Sequence, residues 1–267
     1  MESYRLKNII LLILALTNLF LLATLLSRRA DEAKLLRASA EQVSQLFAQQ
    51  DIALDPDLIP GSRPGAVLNL ARNVKEENRL AAFFLGQDTD FTDEGGGLTR
   101  YESRQGNLVF RSSGDFDLTA SLEVSDPEDF CAGFFRRFDY REKSAELAGG
   151  TGTVTALQYF NGLPVVNCTV TLTFSSGILS SVIGRHLPEK NAVAATADCI
   201  TAFTALTAFL SALSEERLDC GSVTGVELGY ELQSTPAAPL SLVPVWRITT
   251  DTFQCYVNSS TGEVVLP

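Results

Sequence analysis

The sequence predicts a membrane-anchored α+β protein: an N-terminal transmembrane helix, then units in which a helix packs on an antiparallel sheet. Three observations predict it. Ile9 to Leu26 is a run of eighteen residues without a charge. Beyond it, a helix pattern followed by strand patterns recurs three times, and tight-turn residues join the strands. Helices segregated from strands in this way belong to folds whose sheets are antiparallel.

The run IILLILALTNLFLLATLL, at about 1.5 Å per residue, matches a hydrocarbon layer of roughly 30 Å. Its thirteen Leu, Ile and Phe residues, at about −0.3 to −0.6 kcal/mol each, favour insertion by roughly 4 to 8 kcal/mol, more than a charge placed at Asn18 would cost. A cleaved signal would need small residues in an A-x-A-like arrangement after the core, whereas Leu25, Leu26, Ser27, Arg28 and Arg29 follow. The reading is an anchor that stays. Arg28, Arg29, Lys34 and Arg37 outnumber Arg5 and Lys7, yet long domains translocate largely regardless of such charge. Residues 1–8 are therefore read as a cytoplasmic tail, 9–26 as the transmembrane helix, and the rest as extracytoplasmic, attached to the cell membrane by a single pass.

With 45% hydrophobic and 20% charged residues, the remainder can bury a core. A net charge of −11 repels phosphate backbones and excludes a nucleic-acid partner. It also argues against a basic face laid on anionic lipid. The five cysteines, Cys131, Cys168, Cys199, Cys220 and Cys255, are odd in number and lack a C-x-x-C pair, so neither a zinc site nor a redox motif is expected. Cys168 falls on the apolar face of a strand pattern and Cys199 on the apolar stripe of a helix pattern, which reads as small buried hydrophobes.

Residues 27–50 have no Gly or Pro and read as a membrane-proximal helix that continues the anchor. Leu36, Val43 and Leu46, with Leu35 and Phe47 beside them, suit packing on the helix's own domain better than a short coiled coil with Ser39 in its seam. Asp55 to Pro64 is a breaker-rich linker. A first α+β unit, 65–122, opens with a strand near Ala66 to Arg72. Its helix has Asn73 as cap, Glu76 in capping-box position and Gly86 as stop. Strands Leu98 to Ser103, Asn107 to Arg111 and Phe116 to Leu122 follow through turns RQGN and SSGD.

The region 126–267 starts with a helix at Asp126-Pro127, with Phe130, Phe134 and Phe138 every fourth residue. Strands are expected at Thr153 to Phe160, Pro164 to Phe174 and Ile178 to His186. In the middle one Val166, Cys168, Val170, Leu172 and Phe174 alternate with polar positions, as in a sheet with one wet face. A third helix is expected over Ala192 to Ser214. An alternating strand from Val223, a Pro-rich loop and a final hairpin close the chain.

That ending, Pro244-Val245-Trp246-Arg247-Ile248 with Cys255-Tyr256-Val257-Asn258 and Thr261-Gly262-Glu263-Val264-Val265, resembles the last hairpins of PepSY-like domains. Gln158-Tyr159-Phe160-Asn161-Gly162-Leu163-Pro164-Val165 resembles their Q-x-x-x-G-x-P strand pair. The layout as a whole is similar to the YycI family and its sibling YycH, short tail, uncleaved anchor, membrane-proximal helix and PepSY-like region included. The five cysteines depart from the family's usual character. The resemblance implies a PepSY-like fold and a Gram-positive regulator of cell-wall metabolism. It also implies partners: a YycH-like protein and the WalK (YycG) sensor histidine kinase of a two-component system, met largely through transmembrane helices.

In the membrane Asn18 is the informative residue, since an amide in hydrocarbon needs a partner, and Thr17 and Thr24 are weaker donors that can bond to their own helix. These three are the candidate partner-binding residues. Ala15 and Ala23 are not spaced as a small-xxx-small motif. An enzyme is not expected: His186 is the only histidine, no nucleophile elbow, zincin helix or phosphate loop accompanies it, and it reads as a solvated loop residue. Asp88, Asp90, Asp93 and Glu94 read as a flexible acidic loop, because Thr92, Asp93 and Thr99 stand where a calcium loop needs an oxygen ligand, Gly and Glu. No metal and no cofactor is implied. The alternative function is a PepSY-type extracytoplasmic binder or inhibitor of a cell-wall hydrolase or protease.

Overall fold

The computed structural model describes residues 2–187, 193–194, 198–216, 218–235 and 238–266, and side chains 2–13, 15, 29, 193, 235 and 238–239 lie outside that description. The fold is mixed α+β, with a large sheet system and few helices.

Helix α1 runs unbroken over Glu2–Ala48, as a stretch without Gly or Pro allows. Among its described side chains only those at its end join the folded body. Ala40, Val43 and Phe47 are buried there, and Ser44 Oγ donates to the Leu54 carbonyl at 2.6 Å. Leu14, Leu16, Leu19, Phe20, Leu21, Leu22, Leu25 and Leu26 remain 52–67% exposed. Among the described residues no helix is long and apolar enough to cross a membrane. The span expected over 9–26 includes side chains 9–13 and 15, which lie outside the described ones.

The remaining elements follow in chain order: β1 (Ala53–Leu54), β2 (Leu68–Asn69), α2 (Val74–Leu85), β3 (Asp90–Gly95), β4 (Leu98–Ser103), β5 (Gly106–Arg111) and β6 (Asp115–Glu123). Then come α3 (Pro127–Phe138), β7 (Tyr140–Ala148), β8 (Thr151–Phe160), β9 (Leu163–Ser175), β10 (Ile178–Arg185) and β11 (Val193–Ala194). Last are α4 (Ala202–Glu216), β12 (Ser222–Thr235), β13 (Ala238–Thr250), β14 (Gln254–Asn258) and β15 (Val264–Val265).

One antiparallel sheet has the order β7-β8-β9-β10-β6-β5-β4-β3. Pairing of β6 with β10 carries it across the junction expected near 122–126, so α2 and α3 share one sheet face. Between them Phe134 meets Phe83 and Phe84 at centroid distances of 5.5 and 5.1 Å, over Leu108, Phe116, Val170 and Leu172. The opposite face carries Thr155 and Thr171, which contact each other at 3.3 Å.

The second sheet is built on the β12–β13 hairpin, extended by β14, β15, β1, β2 and β11. Trp246, Ile248 and Val257 form the floor on which α4 and the end of α1 pack, with Phe47 stacked on Phe209 at 6.2 Å. A third core, with Phe160, Val165, Cys168, Tyr230 and Leu242, lies between the sheets. Cys131, Cys168, Cys220 and Cys255 form no disulfide among the described residues. Burial pushes the Cys131 and Cys255 thiols up to about 12, and Cys168 higher still.

Several expectations are corrected. The helix expected from Ala192 begins at Ala202, because the Ile200 N–H donates to Ser259 and its carbonyl accepts from Trp246 Nε1. Cys199 thus lies before the helix and is half-buried. The strand expected over Ala66 to Arg72 contracts to β2 and pairs with β13 in the other sheet. The acidic stretch forms β3, an edge strand, rather than a loop. Glu76 does not close a capping box: Asn73 accepts from Lys75 N–H at 3.0 Å, while Glu76 turns to Arg79. Strand β7 was not expected, since REKSAEL has no apolar alternation and its side chains 141–146 are exposed.

The sheets meet at β9. Among the described residues Tyr230 and Val165 alone pair there, in parallel, and the Asn167 side chain continues the ladder. Its Oδ1 accepts from the Leu232 N–H and its Nδ2 donates to the Leu232 carbonyl, both at 2.9 Å. Replacing Asn167 by Ala is expected to cost about 1–3 kcal/mol, because it strands a backbone donor. Urea unfolding checks this, and an unchanged midpoint would refute the role.

Candidate functional site

Two places bear on function: the uncovered part of α1 and a buried polar network around His186. On α1 the backbone consumes its own donors and acceptors, so only side chains are left for a partner. Thr24 Oγ1 donates to the carbonyls of Phe20 and Leu21 at 3.0 and 2.9 Å, which turns it inward along its own helix. Asn18 is exposed and engages no group of the chain among the described residues. Thr17 is exposed on the adjacent position. The three candidate residues thus share the bare segment, and Asn18 carries the free polar capacity.

His186 is 4% exposed, so the reading as a solvated residue is corrected. The physical reason lies in β8. Its inward positions Val154, Ala156 and Phe160 are apolar, and Gln158 interrupts them. Gln158 Oε1 accepts from the Leu187 N–H at 2.8 Å, which fixes the amide's orientation. Its Nε2 then donates to the Phe138 carbonyl at 3.1 Å and to His186 Nδ1 at 3.0 Å. Nδ1 must therefore accept, and the neutral ring carries its proton on Nε2. That nitrogen faces Glu76 Oε1 at 4.0 Å. Tyr140 stacks on the ring at 5.9 Å and donates its hydroxyl to the Arg185 carbonyl at 2.8 Å.

His186 and then Arg79 hold the Glu76 carboxyl below its ordinary range, against the opposing effect of burial. The network ties α2, α3, β7, β8 and the end of β10 together, with the Tyr140 hydroxyl also 3.2 Å from His186 Nδ1. A buried polar residue in an apolar strand face was the signal for it, legible at Gln158.

Beside this network opens a cleft of about 440 Å³. Arg136 and Arg141 stand at it, and Tyr159, Phe160 and Leu187 form its apolar wall. The Arg141 guanidinium lies 3.9 Å from the Tyr159 ring centroid, a cation–π contact. Asp139 lines the cleft as well, so its charged lining is mixed.

No family model matches this chain, and no curated protein matches it. Among solved structures it is similar to an uncharacterized protein from Eubacterium rectale at 9% identity and a TM-score of 0.44, covering 77% of this chain and 86% of that one. It is also similar to the Bacillus megaterium YpeB C-terminal domain at 11% identity and a TM-score of 0.36, covering 74% of this chain and 97% of that one.

The network makes two predictions about stability. His186→Phe, which keeps the ring but not Nδ1, leaves a Gln158 donor unpaired and is expected to cost about 1–3 kcal/mol in urea unfolding. An unaltered midpoint would show the histidine to be incidental. The second concerns acid. A carboxyl whose value falls on folding stabilises the fold above its unfolded value, ordinarily 4.5, and that contribution is lost as pH drops through the lower, folded value. Unfolding followed from neutral to acidic pH should therefore show a shallower acid loss in Glu76→Gln than in the parent, and parallel curves would count against the Glu76 contact.

Proposed function

We propose that this chain is a membrane-anchored, extracytoplasmic regulator of the YycI/YycH type, with a PepSY-like outer region. In this reading it binds a WalK-type sensor histidine kinase together with a YycH-like partner and so alters cell-wall metabolism. It is not an enzyme. The observation that carries the reading is the bare apolar sleeve of α1, continuous with a helix end locked into the folded body. A Leu or Phe left in water forgoes about 1.5–3 kcal/mol of burial, so eight of them together call for an apolar surrounding. Support from sequence is the hairpin ending at Val264-Val265 and the Gln158 to Val165 stretch.

Regulation of a kinase requires that this protein bind one kinase state better than the other, since equal affinity shifts nothing. The unbroken helix suits that demand, because a partner gripping the anchor also grips the domain. The second reading, a binder of a cell-wall hydrolase or protease, is favoured by the cleft at Arg136 and Arg141.

A membrane pull-down separates the two. The native chain is compared with Asn18→Leu and with a chain whose residues 9–26 are replaced by an unrelated anchor. Regulation through the membrane helix predicts recovery of a sensor kinase or a YycH-like protein by the native chain, weakened in both variants. Equal recovery of one envelope enzyme by all three, with no kinase, would refute that reading and favour the cleft.

A further inference from the structure

The end of α1 separates two stripes that the sequence alone runs together. Its own domain takes Ala40, Val43 and Phe47, and Leu36 on the same side is approached by Gly61. About 100° round the helix, at 3.6 residues per turn, lies a second stripe of Leu35, Ser39, Gln42 and Leu46. There Leu35 is 69% and Leu46 44% exposed. Followed toward the N-terminus in steps of three and four, this stripe passes through Glu32, Arg28, Leu25, Leu21, Asn18 and Leu14.

We propose that the projecting part of α1 pairs with the same segment of a second copy of this chain, in a parallel two-stranded coil. The seam is Leu14, Asn18, Leu21, Leu25 and Leu35, with Arg28 and Glu32 in the layers between. This rests on the membrane-anchor reading, because two copies inserted in the same direction can pair only in parallel. Three features select a second copy as the occupant. Asn18 in register meets an identical amide, and an amide is complementary to itself, with one donor group and one acceptor. A single polar residue in such a seam fixes register and strand number.

The second feature is charge. Arg28 and Glu32 form no ion pair within the chain among the described residues. In a parallel pair in register Arg28 faces Arg28 and Glu32 faces Glu32, and the complement comes from the diagonal, where Arg28 of each copy lies one layer from Glu32 of the other. The third is clearance. Residues 27–39, at 1.5 Å each, hold the domain about 20 Å from the apolar run, so two domains need not collide. The steps average 3.5 residues, which calls for a left-handed supercoil.

The test uses purified full-length protein carrying Cys199→Ser and Cys220→Ser, in phosphatidylcholine vesicles with no other protein. Single cysteines are placed on the seam at Leu14, Leu21, Leu25 and Leu35, and off it at Leu16, Phe20 and Ala23. Flotation is measured first, then disulfide dimer under mild oxidation. The seam positions are expected to cross-link several-fold more than the others. Asn18→Leu should weaken dimerisation about 3- to 20-fold, the range for an interhelical hydrogen bond in a membrane. Arg28→Glu should weaken it as well, and adding Glu32→Arg should restore it. Flotation with absent or evenly distributed cross-links would overturn the dimer and leave the anchor standing, as would a seam occupied only when another membrane protein is added. Failure to float would overturn the anchor reading and the proposal with it.

Discussion

The two sheets of this chain meet along β9, where backbone pairing among the described residues is reduced to one residue pair, Tyr230 with Val165. What continues the ladder is the Asn167 amide, which presents a donor and an acceptor to Leu232 as a backbone peptide would. Asparagine suits the task because its side chain carries the same amide group as the main chain. Arg185 reinforces the joint: it holds Asp115 through two nitrogens and also reaches the Leu232 carbonyl at 3.3 Å. Burial opposes the Asp115 charge, but the bonds from Arg185 and Ser113 outweigh it and hold the carboxyl below its ordinary range. The bridging core of Phe160, Cys168 and Tyr230 lies beside this joint. Through β12 the joint also sets where α4 lies, and through α4 it sets the seat of α1.

That seat determines what α1 can do. Phe47 and Val43 are immobilised against Phe209 and its neighbours, yet only a few turns earlier every described side chain is exposed. A helix held at one end and uninterrupted by Gly or Pro bends little, since sharp kinks need such residues or an insertion in the hydrogen-bond ladder. The network around His186 belongs to the other sheet, and its bonds fasten α2, α3, β8 and β10 to one another.

Local signals were the legible ones. Asn73, Asp126 and Gly86 act as caps because capping depends on two or three neighbouring residues. The alternation in β9 stood out because both of its faces have distinct environments. Elements set by distant partners were not legible. Strand β7 lies where its sequence looks like a solvated segment, and only pairing with β8 makes it a strand. The start of α4 is delayed by bonds from Ser259 and Trp246, some fifty residues away in sequence. Asn18 stood out as a candidate because a lone amide in an apolar run is a local anomaly. The burial of His186 was less legible, since its partners come from four separate elements and the one local sign was Gln158 in an apolar strand face.

The edges of the sheets bear on how a partner can approach. Strand β3 ends one sheet with Asp90, Asp93 and Glu94, and its register shifts between Asp93 and Gly95. At the opposite edge β7 presents Arg141, Glu142, Lys143 and Glu146, with a shift between Glu142 and Ser144. In the other sheet β1, β11 and β15 are two residues each. Charge, bulges and shortness are the means by which edges are kept from pairing with another chain. Recognition by strand addition is thus disfavoured at each of these edges. Two surfaces that do not depend on an edge are the exposed side chains of α1 and the cleft at Arg136, and the first is the more apolar. A partner reached through α1 contacts side chains alone, so the placement of Asn18, Arg28 and Glu32 along the helix becomes the source of specificity.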